Sequence, residues 1–143
     1  MSAVEQASPS AAVMIVDDSS MMRGIIATIV DDIPELTLAA QAENGRHALE
    51  LLEHTGPDLI LLDVEMPEMN GIEFLRHARL LTDARIIVVS SVVKLESDNV
   101  IAALELGADD VVVKPSGALS IDMKELRSEA LTEAIRHCLS RIN

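Results

Sequence analysis

Short runs of consecutive apolar residues alternate along this chain with longer stretches in which apolar residues recur every three or four positions. The runs are Val13-Met14-Ile15-Val16, Leu36 to Ala42, Leu59-Ile60-Leu61-Leu62, Arg85 to Ser90 and Val111-Val112-Val113. Most lack polar alternation, as strands buried on both faces of a parallel sheet do. The periodic stretches predict helices. Met22, Ile25, Ile26, Ile29 and Val30 mark one face of the first. Ala48, Leu51 and Leu52 mark the second, over Gly45 to His54, and Ile72, Leu75 and Ala78 the third. Val100, Ile101, Leu104 and Ala108 mark the fourth, and Leu126, Ala130, Ala134 and Cys138 the fifth. Pro34, Gly56-Pro57, Asn70-Gly71 and Gly107 punctuate them. Strand then helix, five times, predicts an α/β fold with helices on both faces of a parallel sheet, because each crossover is right-handed.

In that arrangement every strand points its carboxyl end to one rim, where open α/β sheets place their ligands. Four of those ends carry polar groups: Asp17-Asp18, Asp63, Ser90-Ser91 and Lys114-Pro115. Each has an ordinary alternative. A lone Asp after a strand can cap the next helix; Ser90 can be a turn residue and Lys114 a solvated strand end. Their concurrence at one rim is what points to chemistry. Three carboxylates held together repel, and each raises the cost of ionising the others unless a cation sits among them. Mg²⁺ prefers such oxygen ligands. With it in place, an aspartate can attack a phosphoryl group to form an aspartyl phosphate. Lys114 and the Ser90 hydroxyl would then stabilise the transferred oxygens.

Length and composition narrow the picture further. At 143 residues with 49% apolar content, the chain is one domain with a real core. Residues 1–11 are small and polar and are expected to form a loose, flexible tail, leaving 12–143 as the domain. No apolar run reaches membrane-spanning length, so a cytoplasmic protein is expected. A net charge of -13 argues against nucleic acid and anionic membrane as partners. Cys138, the one cysteine, is expected to be a packed thiol. His47, His54, His77 and His137 lack metal spacing and read as solvated helix residues. With Phe74 the only aromatic residue, nothing offers a stacking platform for bases or flavin.

The set Asp17-Asp18, Asp63, Ser90 and Lys114-Pro115 resembles the receiver domain of two-component response regulators, over about Val13 to the end. Four segments are closer still to the receiver half of chemotaxis methylesterases. They are Val16-Asp17-Asp18-Ser19, Leu62-Asp63-Val64-Glu65-Met66-Pro67, Val89-Ser90-Ser91 and Ala103-Leu104-Glu105-Leu106-Gly107-Ala108. The resemblance implies a flavodoxin-like (βα)5 sandwich with strand order 2-1-3-4-5. It implies that Asp63 accepts a phosphoryl group from a kinase phosphohistidine. It also implies Mg²⁺ held by Asp18, Asp63, the Glu65 backbone carbonyl and, mainly through water, Asp17. Ser90 and Lys114 would bind the phosphoryl oxygens, and the Lys114–Pro115 bond would be cis. The expected partners are a chemotaxis-type histidine kinase and a downstream effector domain or protein, the receiver itself being a monomer or weak dimer. Its only catalysis would be Mg²⁺-dependent self-phosphorylation and self-dephosphorylation.

Two features depart from the family. Receivers carry Tyr or Phe three residues before the lysine, and here that residue is Val111. The chain also lacks a G-x-S-x-G elbow, so no methylesterase domain is expected in it; it reads as an excised receiver or a single-domain regulator. A stand-alone phosphate sink is the alternative within the family. From other classes, a flavodoxin-like electron carrier would need a hydroxyl-rich phosphate loop where Asp17-Asp18 stand. An Mg²⁺-dependent phosphatase using Asp63 as nucleophile would rest on the loose D-x-D likeness of Asp63-Val64-Glu65, but no insertion is long enough to cap its pocket.

Overall fold

The computed structural model describes residues 10–66, 70–91, 95, 97–115 and 121–140. The elements run β1 (Ala11–Val16), α1 (Ser20–Asp31), β2 (Leu36–Ala42), α2 (Gly45–Thr55), β3 (Leu59–Leu62), α3 (Gly71–Leu81), β4 (Arg85–Ser90), α4 (Asp98–Glu105), β5 (Asp110–Val113) and α5 (Ile121–Leu139). All strand pairs are parallel and the sheet order is β2-β1-β3-β4-β5. This is the expected doubly wound sandwich in the order 2-1-3-4-5. The strand begins at Ala11, whose N–H already donates to the Glu35 carbonyl, while most of the expected tail lies outside the described residues. Among the described residues no helix is long and apolar enough to cross a membrane.

Successive strand residues point to opposite faces, so a strand apolar at every position feeds two cores at once. Met14, Val16, Ile60, Leu62, Ile86 and Val88 pack on one face with Ala48 and Leu52 of α2, Phe74 and Leu75 of α3, and Val100 and Ala103 of α4. Val13, Ile15, Leu59, Leu61, Ile87 and Val89 pack on the other with Ile26 and Val30 of α1 and Leu131, Ile135 and Cys138 of α5. Cys138 is a buried thiol, as expected. His54, His77 and His137 are exposed; His47 differs, being half-buried.

Two helices bury only part of the faces read from periodicity: Val100 in α4, and Ala134 and Cys138 in α5, are buried as expected. In α4 the buried residues are Val100 and Ala103, while Ile101 and Leu104 are 50% and 46% exposed. In α5 Leu131, Ala134, Ile135 and Cys138 are buried, and Leu126 and Ala130 are exposed. A 3.6-residue period fixes the spacing of a buried stripe but not its phase. In α4 the small Ala103 lies in the stripe with larger residues beside it, and side-chain size misleads the choice; in α5 Leu131 and Ile135 complete a stripe of which periodicity picks out only Ala134 and Cys138.

The caps decide what the rim aspartates are free to do. Ser19 caps α1, its hydroxyl accepting from the Met22 N–H, and Asn70 caps α3, accepting from Ile72 and Glu73. Neither Asp18 nor Asp63 is therefore spent as a cap. Gly71 brings the start of α3 hard against the strand end before it: an added Cβ would lie 2.4 Å from Val64 Cα and 2.7 Å from the Asp63 carbonyl oxygen. Backbone atoms cannot yield as a flexible side-chain tip can. Gly71→Ala should therefore cost about 2–3 kcal/mol, the upper range of overpacking, read as a lowered urea midpoint. A midpoint equal to wild type would mean that α3 can shift without strain.

Candidate functional site

Among the described residues the buried polar or charged side chains are Asp17, Asp63 and Ser90, and all three stand at the carboxyl rim of the sheet. Backbone hydrogen bonds carry the ladder one step beyond the strands and fix these positions. Asp17 N–H donates to the Ala42 carbonyl, Asp63 N–H to Val16, and Lys114 N–H to Ser90. Carboxylate oxygens of Asp17, Asp18 and Asp63 all lie within 4.8 Å of one another. Lys114 crosses from the end of β5 to place Nζ 3.1 Å from Asp63 Oδ2 and 3.2 Å from Asp17 Oδ2. The expected residues Asp17, Asp18, Asp63 and Lys114 thus meet in one cluster.

Two of the three carboxylates, Asp63 and Asp17, are held in defined orientations, while Asp18 is exposed. Asp63 Oδ1 accepts from the Glu65 N–H at 2.9 Å, leaving Oδ2 to face Lys114. Asp17 Oδ1 accepts from the Ser19 N–H at 2.9 Å, and Arg23 Nη1 donates to the Asp17 carbonyl at 2.7 Å. Asp17 Oδ2 is different. It is buried and close to Lys114, yet the alignment is not that of a hydrogen bond, and it has no other partner among the described residues. Ser90 stands at the same rim, but its hydroxyl donates to the Ser91 carbonyl at 3.3 Å and not to the cluster.

The electrostatics follow from this crowding. Burial pushes the Asp63 carboxyl above its ordinary range; the Glu65 N–H and the Lys114 charge oppose that push without cancelling it, and Asp17 adds repulsion. Burial pulls the Lys114 ammonium down, but attraction to Asp63 and then Asp17, with the hydrogen bond to Asp63, leaves it above its ordinary value. Three carboxylates against one ammonium leave two negative charges when all are ionised. The buried Asp17 oxygen, ion-paired with Lys114 but without a hydrogen bond among the described residues, and an all-oxygen donor set fit a hard divalent cation.

Comparison with known proteins accords with this geometry. The model of the response regulator receiver domain matches residues 13–135. The chain belongs to that family. This receiver is 46% identical over 114 residues to the protein-glutamate methylesterase/protein-glutamine glutaminase of Treponema pallidum, covering 79% of this chain and 28% of that protein. It is 46% identical over 124 residues to the corresponding protein of Treponema denticola, covering 86% and 33%. The chain thus spans about a third or less of the curated relatives it matches. Among solved structures it superposes on the response regulator domain of Thermotoga maritima CheB with a TM-score of 0.79 and 34% identity, covering 92% of this chain and 97% of that one. A chain from the complex of the P1 domain of CheA3 with CheY6 of R. sphaeroides matches with a TM-score of 0.77 and 44% identity, covering 93% and 99%.

The receiver departs from expectation at one bond. Among the described residues there is no cis peptide, so Lys114–Pro115 is trans. The two forms of an X–Pro bond differ by only about 0.5–1 kcal/mol in favour of trans, so a family habit does not fix the isomer. Val111, where the family resemblance implies an aromatic ring, is half-buried and packs against the α2–α4 core. Pro67 and residues 92–94, which follow Ser90-Ser91, lie outside the described residues. Sequence reasoning missed two residues: Arg23, and Asn99, whose Nδ2 donates to Glu65 Oε1 at 2.9 Å. Arg23 sits one turn into α1, where a signal existed in its spacing from Asp17. Asn99 lies 34 positions from its partner, and no local pattern announces it.

The raised Asp63 carboxyl has a consequence for stability. Between the ordinary value of 3.8 and the raised one, the native receiver keeps a proton that the unfolded chain has released. Stability therefore falls as pH rises through that window and stays lower above it. Asp63→Asn abolishes the ionisation. Without divalent cations it should match wild type at the acid end and gain about 1 kcal/mol near neutrality, the scale of a single-site effect. Urea midpoints across pH measure this; a constant offset between the two proteins would overturn it.

Proposed function

We propose that this receiver accepts a phosphoryl group on Asp63 from the phosphohistidine of a histidine kinase in an Mg²⁺-dependent reaction, as part of chemotaxis-type signalling in the cytoplasm. The observation that carries the reading is Asp63 itself: a buried carboxylate at the end of a central strand, 3.1 Å from an ammonium and beside two further carboxylates. A purely structural cluster has no need of a third acid. The chemotaxis assignment draws support from the likeness to the CheB receiver and to the CheA3–CheY6 complex.

Asp17, Asp18, Asp63 and the Glu65 backbone carbonyl would hold the Mg²⁺, which when bound supplies positive charge for the attacking carboxylate and the incoming phosphoryl group. The Glu65 N–H fixes the plane of the Asp63 carboxylate by holding Oδ1, so the second oxygen is presented in a constant direction. An Asp63 oxygen–phosphorus bond forms as the nitrogen–phosphorus bond of the phosphohistidine breaks, and the imidazole leaves with a proton taken from solvent. Lys114 exchanges its contact with Asp63 for one with the transferred oxygens, where its charge stabilises what develops there. The Ser90 hydroxyl, now satisfied by Ser91, turns to donate to another of those oxygens, and that turn begins the conformational signal. An effector domain or protein would read it.

Incubation with a small phosphodonor and Mg²⁺ should add one phosphoryl group, seen by intact mass and lost on alkaline treatment as an acyl phosphate is. Asp63→Asn should take up none. Phosphate uptake by that variant at the wild-type rate would remove Asp63 from the role. Separately, Mg²⁺ at about ten times its Kd should stabilise the receiver by about 1.4 kcal/mol through mass action, or about 4 °C in Tm for a domain of this size. Asp18→Ala should lose most of that rise. Melting curves of wild type that ignore Mg²⁺ would exclude the cation site.

A further inference from the structure

Helix α4 is held to the rest of the receiver by little. It is eight residues long, below the length at which a helix is stable by its own hydrogen bonds, and its buried residues are Val100 and Ala103. Ser97 caps it, the hydroxyl accepting from the Val100 N–H. Within its first turn, the half-buried Asn99 reaches back to the loop after β3, where Nδ2 donates to Glu65 Oε1 at 2.9 Å. Glu65 is tied at its other end as well, its N–H held by Asp63 Oδ1 at 2.9 Å. Asp63, Glu65 and Asn99 form one chain of contacts from the rim cluster to the first turn of α4.

We infer that Asn99 is a positioning residue: through its bond to Glu65 it makes the Asp63 loop and the first turn of α4 move as one unit. Occupancy of the carboxylate cluster is thereby felt at α4 by a route independent of Ser90. Two features support this over a simple helix-end contact. The bond joins side chains 34 positions apart, at the residue whose own backbone amide orients Asp63. The helix it reaches is the shortest of the described helices, and an element with few other anchors follows its tether. By linkage the effect is reciprocal, so α4 in turn biases the loop geometry. The inference rests on the proposed cation site, because a ligand there is the input.

The test is the amide chemical-shift response to saturating Mg²⁺ in wild type, Asn99→Ala, Asn99→Asp, Glu65→Ala and Glu65→Gln. In wild type, shifts should appear both at Asp17–Ser19 and Asp63–Glu65 and at Asp98–Ala102. Asn99→Ala should keep the pocket shifts and reduce the α4 shifts at least threefold. Asn99→Asp, which keeps the size and places a carboxylate opposite Glu65, should do the same. Glu65→Ala should reproduce the loss from the other side of the bond, whereas Glu65→Gln, which retains the accepting Oε1, should keep the α4 response. A role for Asn99 confined to stabilising the helix end would not be copied by Glu65→Ala, nor rescued by glutamine. Pocket shifts with an α4 response unchanged in the Asn99 variants, or with no α4 response in wild type, would overturn the inference. No Mg²⁺ response at any amide would instead overturn the cation site on which it rests.

Discussion

Crowding of like charge at the carboxyl rim is the constraint around which this receiver is built. Three carboxylates meet one ammonium in a site that is otherwise walled by apolar strands. Burial of Asp17 and Asp63 strengthens the interactions between them and with Lys114, repulsive and attractive alike, while Asp18 stands at the exposed side. The fold does not neutralise the cluster internally; Lys114 alone stands against Asp17 and Asp63, and one buried Asp17 oxygen is left without a hydrogen bond among the described residues. An arrangement of this kind costs stability, and proteins retain such costs where function uses them.

The apolar scaffold is what makes the crowding possible. Each of the central strands buries both faces, so alternate residues grip two helical layers and the strand ends cannot spread apart. The ladder continues past β1, β3 and β5 by one hydrogen bond each, locking the backbone at Asp17, Asp63 and Lys114. Ser19 and Asn70 serve as the helix caps, which releases the neighbouring aspartates from that duty. Gly71 then lets α3 start against Val64 and the Asp63 carbonyl. Stability and geometry are thus supplied by residues other than those with chemistry to perform.

The sheet and the rim cluster were legible in the sequence because both rest on local signals. An unbroken apolar run ending in a charge is visible without tertiary knowledge, and five such runs fix the order in which ends meet. The phase of α4 was not fully legible, since Ala103 buries less area than the Leu104 beside it yet faces the core; in α5 Ala134 and Cys138 were legible but Leu131 and Ile135 were not. The trans Lys114–Pro115 bond was not legible either, because so small an energy separates the isomers. Neither the orientation of the Ser90 hydroxyl nor the Asn99–Glu65 bond leaves any trace in periodicity. Both are tertiary facts between residues with unremarkable neighbours.

These last contacts bear on how a receiver with Val111 can signal. An aromatic side chain at that position has two well-separated arrangements, one packed inward and one outward, and a swing between them moves neighbouring elements. Valine is short and stiff at χ1, and Val111 lies against the core with no comparable alternative. A two-state response must then come from an element that is itself weakly held. Helix α4 meets that description, with its eight residues, two buried side chains, and Ile101 and Leu104 half in solvent. Moving it exposes little apolar area, so the energy separating its positions is small. A single hydrogen bond, worth about 1 kcal/mol net, is commensurate with that gap and large enough to set which position prevails. On the proposed reading, the switching burden would pass from a ring to this helix and its tether.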